Sequence, residues 1–213
     1  MNMDTFIDPA SVVAVPADQD LQARTRLLNA AVHIFDRKGY ASASVREIAE
    51  LAGVTKPVLY YYFGSKEGLL MAVLTEAQRL FTATVETAVA RVGTARERII
   101  GLCTDIYAMF EQHVPVVRVA HAVFLGPPEV APPFDVTIFE LSLRGAFAQI
   151  AADGVAAGEF RAGTTDDLAM AVMGILNGCN ERQLHPAFEP VGASGVRRLL
   201  DLLFDGVMNT PRA

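Results

Sequence analysis

Apolar residues recur every three to four positions along most of this chain, which is the spacing of amphipathic α-helices and not of β-strands. A first short helix is predicted over about 45–52, where the apolar positions follow an i, i+3, i+4, i+7 series made by Val45, Ile48, Ala49 and Ala52. A second is predicted over about 56–63, where Leu59 and Phe63 lie four residues apart. The two short helices leave room for only a tight turn between them.

The turn and both helix starts carry their own signals. Gly53 falls where the first helix must end in a left-handed backbone conformation, which glycine adopts without strain. Ser44 with Glu47 three residues later is a capping box, and Thr55 is placed to cap the second helix. The spacing of Ala49, Gly53 and Leu59 is that of a helix-turn-helix, whose second helix reads DNA.

The second short helix has an outer face suited to a DNA groove. If Leu59 and Phe63 face the core, then Lys56, Pro57, Tyr60 and Tyr61 lie on its other sides. Pro57 is tolerated in the first turn, and its ring suits a thymine methyl group. For the two tyrosines we weigh DNA contact above simple exposure, because they accompany a lysine and a proline.

Further helices are predicted over the rest of the chain at 66–91, 95–113, 115–125, 134–157, 165–184 and 194–209, with a proline-rich connector at 126–133. The fold class is therefore all-α. We expect a flexible N-terminal arm over 1–19, a three-helix helix-turn-helix domain over 20–70, and a helical effector-binding and dimerisation domain over 71–213, reached through the long helix that starts at Lys66.

The distribution of charge along the chain supports this division into domains. The chain carries a net charge of −6, which would repel DNA if it were spread evenly. Residues 20–70 hold seven basic and five acidic side chains, a local charge of +2, which leaves −8 for the remainder. We therefore expect end-on binding to DNA that weakens strongly with salt. The N-terminus does not read as a signal peptide and no apolar run reaches 18 residues, so the expected location is cytoplasmic.

Residues 21–70 resemble the TetR-like (TetR/AcrR) bacterial transcriptional regulators. The resemblance rests on fixed spacings among Phe35, Gly39 and Tyr40, then Val45 to Ala49, then Ala52 to Val54, then Leu59, Tyr60 and Phe63, then Lys66, Glu67 and Leu69. It implies a ligand-responsive regulator, with repression as the default. It also implies DNA contacts from Ser44, Arg46, Thr55, Lys56, Pro57, Val58, Tyr60, Tyr61, Tyr62 and Lys66, among which Lys66 would bind a phosphate and Arg46 a base edge or a phosphate. For Tyr62, packing against the first short helix is an equal alternative.

The last two helices predict a homodimer. Residues 168–179 are apolar nearly all round, and the final helix carries an apolar stripe. Pairing this hairpin with its twofold copy would make a four-helix interface, which TetR-like proteins also use. The residues assigned to that interface are Leu168, Val172, Ile175, Cys179, Val196, Leu199, Leu200, Leu203 and Val207. The alternative is that these helices pack only within their own domain.

An effector site can only be outlined. The helices over 95–184 supply a mainly apolar set with a few polar atoms, as ligand pockets usually do: Cys103, Tyr107, Phe110, His121, Phe124, Phe147, Met173 and Asn177. Each of these residues is individually more typical of a core. We expect the effector to be a small, largely hydrophobic molecule.

Enzyme chemistry finds no support in the sequence. It contains no paired metal-ligand motif, glycine-rich phosphate loop or GxSxG elbow, so neither a metal, a cofactor nor a catalytic residue is predicted. Cys103 and Cys179 are expected to be buried thiols without a disulfide. The alternative function of a different class is a helical ligand-binding or adaptor protein whose three-helix end contacts protein and not DNA.

Overall fold

The structure is a computed structural model that describes residues 18–126, 134–135, 137–185 and 187–206. Its helices are α1 Asp18–Ser42, α2 Val45–Leu51, α3 Lys56–Phe63, α4 Lys66–Val89, α5 Ala95–Gln112, α6 Val114–Leu125, α7 Thr137–Ala156, α8 Thr165–Leu184 and α9 Gly192–Asp205. No strand occurs in these ranges, and the predicted all-α fold is confirmed. The proline-rich connector beyond Gly126, the arm up to residue 17 and Val207 lie outside the described residues.

The predicted helix ends differ from the observed ones by a few residues. The final helix starts two residues earlier than predicted and stops at Asp205, because Gly206 takes a left-handed conformation with φ of 77°. Gly39 does the same near the end of α1, where φ of 76° and ψ of 159° interrupt the helical geometry. Glycine therefore interrupts α1 and ends α9 for the same steric reason.

The chain divides into two compact units. The first contains α1 to α3, α4 as far as Arg79, and α6 from Pro115. The second contains α4 from Leu80, then α5, α7, α8 and α9. Helix α6 therefore groups with the helix-turn-helix, whereas the domain boundary inferred from the sequence placed all residues after 70 together.

The core of the first unit closes around the helix-turn-helix. Helix α1 contributes Leu27, Leu28 and Phe35 to it, and the two short helices each contribute fully buried side chains, Ile48 and Leu59. Burying a side chain of this size stabilises a domain by about 1.5–3 kcal/mol. These inward residues fix the rotation of α2 and α3, and so decide which side chains of α3 face outward.

Helix α5 lies at the centre of the second unit and packs against α7, α8 and α9. Its start is fixed by a capping box, in which Thr94 Oγ1 accepts from the Glu97 amide at 3.2 Å and the Glu97 carboxylate accepts from the Thr94 amide at 2.9 Å. The fully buried Ile99, Leu102 and Ile106 then follow along one side of α5. The unit is a single apolar core that α5 joins to its neighbours.

The residues assigned to the dimer interface on α8 and α9 differ in burial within a single chain. Val172, Cys179, Val196 and Leu200 are at most 2% exposed and belong to the core of the second unit. Leu168, Ile175 and Leu203 are partly buried and pack against the same core. Only Leu199, at 40% exposure, lies mainly in solvent among the described members of that set. The four core residues therefore present almost no surface in a single chain, whereas Leu168, Ile175, Leu199 and Leu203 keep part of theirs.

Candidate nucleic-acid interface

The helix-turn-helix is held by contacts that the capping residues make. Ser44 Oγ accepts from the Glu47 amide at 3.2 Å, and the Glu47 carboxylate accepts from the Ser44 amide at 3.3 Å, so the predicted capping box is present. Lys38 on α1 adds an ion pair to Glu47. Together these contacts hold the pKa of Glu47 below the usual glutamate value, with the Lys38 contact the largest cause and Ser44 the next. The Ser44 hydroxyl is therefore engaged in the cap.

The turn between α2 and α3 depends on glycine. Gly53 has φ of 66°, and its amide donates to the Glu50 carbonyl at 3.1 Å. Thr55 occupies the N-cap position of α3, but its side chain makes no capping hydrogen bond. The capping role predicted for the Thr55 hydroxyl is therefore wrong, although the helix starts where it was predicted to start.

Helix α3 presents a continuous exposed face. Thr55, Lys56 and Pro57 are exposed at its start, and Tyr60 and Tyr61 follow at 49% and 78% exposure. On the opposite side Leu59 is fully buried. The face therefore combines a hydroxyl, an ammonium, a proline ring and two phenols.

Val58 and Tyr62 occupy the flanks of that face. Both are half-buried. The Tyr62 ring meets Tyr61 edge-to-face at 5.1 Å between ring centroids and lies 6.2 Å from Phe63. Tyr62 therefore belongs to an aromatic group that packs along α3 itself.

Arg46 lies on the outer side of α2. Its Nε donates to Glu50 Oε1 at 2.7 Å, one turn further along the helix, and both side chains are largely exposed. Such a surface pair contributes little to stability, about 0.3–0.5 kcal/mol. Arginine has five N–H donors, so most of its hydrogen-bonding capacity is still open to a ligand.

Lys66 makes hydrogen bonds to the backbone that precedes α2. Its ammonium donates to the carbonyl oxygens of Tyr40 at 2.9 Å, Ala43 at 3.0 Å and Ala41 at 3.3 Å. It also lies 4.4 Å from the centroid of the Tyr40 ring. Since an ammonium has three N–H donors, these carbonyls engage all of them in the single chain, and the phosphate contact of Lys66 stays a prediction.

Other basic side chains of the first unit also make contacts within the fold. Arg26 Nε donates to the Ala52 carbonyl at 3.0 Å, and the Arg24 guanidinium lies 5.6 Å from the Phe63 ring centroid. In contrast, Arg37 and Lys56 are exposed and make no hydrogen bond or ion pair with another described residue. The local charge of +2 therefore overstates how much basic surface is open, and Lys56 is the open cation on α3.

The residues assigned to an effector site do not all come together. Cys103, Tyr107, Phe147 and Met173 share the core of the second unit, and Phe110 packs against it. His121 and Phe124, whose rings lie 6.4 Å apart, belong to the first unit. Asn177 is exposed on α8 and lies outside that core. Burial raises the pKa of the Cys103 thiol, and both cysteines are buried and free, as the sequence predicted.

Two buried polar residues of α8 were missed. Asn180 and Gln183 are 6% and 9% exposed, and Gln183 Nε2 donates to the Tyr107 carbonyl at 3.3 Å. The Tyr107 hydroxyl in turn accepts from the Gly192 amide at 2.9 Å. The signal that could have found them is the helical period that continues from Val172 through Leu176 to both amides.

Comparison with known proteins shows which family this helix-turn-helix resembles. A sequence profile of the bacterial regulatory proteins of the tetR family matches residues 27–73, which run from the buried part of α1 to the second turn of α4. The helix-turn-helix segment of the chain is therefore similar to that of the tetR family. The described helices of the TetR-type fold show no segment of the length and apolar character that a bilayer crossing needs.

Individual relatives agree with this assignment. The transcriptional repressor NicS of Pseudomonas putida is 29% identical over 106 residues, covering 48% of this chain and 50% of NicS. The TetR-family regulator PfmR of Thermus thermophilus has a TM-score of 0.70 at 26% identity, covering 86% of this chain and all of PfmR. FadR of Bacillus subtilis, crystallised with stearoyl-CoA, has a TM-score of 0.67 at 19% identity over 86% of this chain and 98% of FadR. The chain spans about half the length of the curated relatives it matches.

Proposed function

We propose that this chain is a ligand-responsive transcriptional regulator of the TetR family that binds a near-palindromic DNA operator as a homodimer. The observation that carries the proposal is the exposed face of α3, where Lys56, Pro57, Tyr60 and Tyr61 lie opposite the fully buried Leu59. A helix fixed on one side by its own core and open on the other can enter a major groove without unfolding anything.

The side chains of that face suit both contact with base edges and contact with phosphate oxygens. The Lys56 ammonium can donate to the O6 or N7 acceptors of guanine, and the Pro57 ring can contact a thymine methyl group. The hydroxyls of Thr55, Tyr60 and Tyr61 can donate to phosphate oxygens, which fix the register without reading sequence. Arg46 on α2 reaches the same duplex if it leaves its exposed pair with Glu50.

Footprinting of genomic fragments by the purified protein tests the DNA-binding proposal. We expect recovery of a near-palindromic site, and Lys56→Ala should weaken binding to it by about 1–3 kcal/mol. The matched control is Arg144→Ala, which removes one exposed positive charge from α7 in the second unit and should leave the affinity unchanged. Equal losses for both variants would show that only net charge matters, and absence of any duplex binding would favour the adaptor alternative.

The dimer is proposed through the exposed side of α8 and α9. Met170 at 61%, Leu199 at 40% and Leu202 at 50% exposure are large apolar side chains left in solvent by a single chain. On α8, Gly174 and Gly178 are also exposed, and a Cβ atom added at either would meet no atom of the chain within 4 Å. The chain's own packing therefore does not require glycine there, whereas a partner helix that approaches closely would.

A dimer supplies the geometry of recognition and of its control. Two copies of α3 related by a twofold axis reach successive major grooves only when they are about 34 Å apart. A ligand that prefers a conformation with another separation weakens DNA binding by its differential affinity, typically 1–3 kcal/mol. We propose that the effector releases the protein from DNA and so ends repression, as the relative NicS is a repressor.

We propose the second unit as the site of the effector, which is small and largely hydrophobic. Its core contains Tyr107 and Phe147, and the buried amides of Asn180 and Gln183 offer polar groups beside Tyr107. Because FadR was crystallised with stearoyl-CoA, a test panel should contain long-chain acyl-CoA thioesters, their free acids and unrelated apolar compounds. An effector should lower operator affinity about 5–150-fold. A compound that tightens operator binding would contradict release as the sign of control.

A further inference from the structure

The segment formed by α2, α3 and the turn between them carries no net charge, although we expect it to meet DNA. It contains two basic side chains, Arg46 and Lys56, and two acidic ones, Glu47 and Glu50. Glu47 pairs with Lys38 of α1 and belongs to the capping box of α2. The carboxylate of Glu50 takes no part in that cap, and its partner lies on α2 itself.

Glu50 and Arg46 form an ion pair on the outer side of α2. The Arg46 Nε donates to Glu50 Oε1 at 2.7 Å across one helical turn, and the two side chains are 63% and 72% exposed. An exposed pair of this spacing changes a folding equilibrium by only about twofold. The pair therefore adds little to the stability of α2, which its cap and its buried residues already fix.

The pair does change the charge that an approaching duplex meets. A single positive side chain attracts the phosphates of any sequence within a Debye length of about 8 Å at physiological salt. A carboxylate beside it cancels most of that attraction, because the fields of two opposite charges nearly offset each other beyond their own separation. Lys56 has no such partner among the described residues. Lys56 therefore attracts any duplex, whereas Arg46 adds little to that general attraction.

At close range the same pair is easily exchanged for a better one. Bidentate contact of an arginine with O6 and N7 of guanine discriminates against another base by about 5–150-fold, which exceeds the about twofold worth of the exposed pair. A phosphate of arbitrary sequence only replaces one anion by another. A well-placed guanine can therefore outweigh Glu50, while DNA without that guanine gains little from Arg46.

We propose that Glu50 is a specificity-determining residue for DNA recognition. By compensating the charge of Arg46, it lowers the affinity of the helix-turn-helix for DNA of arbitrary sequence more than the affinity for the operator. The inference rests on the DNA-binding function proposed above and deepens it, because it gives an acidic side chain of the interface a part in discrimination between sequences.

The test compares Glu50→Gln with the wild type on the operator and on a duplex of scrambled sequence, each at several salt concentrations. Glutamine has nearly the shape and helix propensity of glutamate, so α2 should keep its fold. Affinity for the scrambled duplex should rise about tenfold, and the slope of log K against log salt should steepen by about 2 per dimer. Operator affinity should rise less, so the ratio of the two affinities should fall by about threefold. An unchanged or larger ratio would overturn the proposal.

Two controls link the effect to the partner of Glu50. Glu67→Gln removes another exposed carboxylate of the first unit, which forms no ion pair with a described residue, and should leave the ratio nearly unchanged. In an Arg46→Gln background, Glu50→Gln should no longer lower the ratio, because the charge that it compensates is gone. An equal fall in Glu67→Gln, or the same fall without Arg46, would show that only net charge matters and would refute the assignment.

A second substitution at the same position excludes an effect of the new amide. Because glutamine can itself contact adenine, Glu50→Ala is measured in parallel, and it should lower the ratio as Glu50→Gln does. Opposite results for the two variants would contradict the proposal. Wild-type protein that binds neither duplex would sink the proposed function, whereas wild-type protein that prefers its operator, with the ratio kept in both variants, would refute only the role of Glu50.

Discussion

At the scale of single residues, position 68 shows how strictly the first turn of α4 is built. Its amide donates to Ser65 Oγ at 2.9 Å, which caps α4. The missing side chain leaves room for the Phe63 carbonyl, because any Cβ would overlap that oxygen. The residue is therefore required by a backbone contact and not by its own backbone angles, since its φ is not positive.

Gly68→Ala should accordingly destabilise the protein by about 1–3 kcal/mol, because the end of α3 must shift to admit a methyl group. The affinity for the operator should fall with it, since Phe63 ends the recognition helix. Gly145→Ala on α7 is the matched control, because its Cβ would meet nothing within 4 Å. That control should be neutral or more stable by roughly 0.5–1 kcal/mol. Urea unfolding that shows equal effects would refute the steric argument.

Sequence alone predicted which residues of the motif are inward, and the structure confirms Ile48, Ala49 and Leu59 in the core. Val45 and Phe63, predicted to face the same way, are only half-buried. Helical spacing carries that information, because it determines directly which residues share the inward face of a helix. It carried less for Lys66, whose partners are backbone carbonyls more than twenty residues away along the chain. A carbonyl has no sequence signature, so a lysine in this place looks free until the fold is known.

At the scale of elements, the start of α2 depends on a small electrostatic group. Glu47 accepts from the Ser44 amide and pairs with Lys38 of α1, so that one carboxylate both caps α2 and ties it to α1. The pKa of Glu47 is lowered by these contacts. A carboxylate with a lowered pKa stabilises the fold while it is ionised, and that contribution disappears on protonation.

The stability of the first unit should therefore decrease as the pH falls below the ordinary glutamate value of about 4.5 towards the lowered pKa of Glu47. Above that value the contribution is fully present. Glu47→Gln should remove this part of the acid sensitivity and cost stability at neutral pH. Urea unfolding of both proteins between about pH 3 and pH 7 measures this difference, because that range includes the ordinary pKa of a glutamate. Parallel curves would show that Glu47 contributes nothing to folding.

Helix caps also explain which helix starts could be predicted from the sequence. Ser44, Ser65 and Thr94 mark helix starts by chemistry that acts within four residues, so a sequence shows them. Thr55 has the right type and place, but its side chain makes no capping bond. Whether a hydroxyl caps depends on its rotamer, which local sequence does not determine.

At the scale of the whole molecule, the exposed apolar face of α8 and α9 is the main feature left without a partner in a single chain. The dimer interface inferred from sequence took the most apolar side of each helix, but that side fills the core of the second unit. A helix that serves a core and an interface has two apolar sides, and periodicity cannot say which faces inward. The glycines of α8 distinguish them, because space is open above both.

Leu202→Arg should convert the proposed dimer to a monomer, because a charge would be buried at the twofold contact. Val92→Arg is the control, as Val92 is 97% exposed and belongs to the segment between α4 and α5. Light scattering coupled to size exclusion gives the mass of each variant. The monomeric variant should also lose most operator affinity, since it can occupy only one half-site at a time. A dimer of unchanged mass in Leu202→Arg would exclude this face.

The aromatic make-up of α3 has a practical consequence. Three of the five tyrosines in the chain are consecutive at 60–62, and the chain contains no tryptophan. Ultraviolet emission from the unlabelled protein therefore comes largely from the element that we expect to meet the duplex. Quenching of that intrinsic signal during a titration should report occupancy of the recognition helix directly, with Tyr61→Phe removing the contribution of its most exposed member.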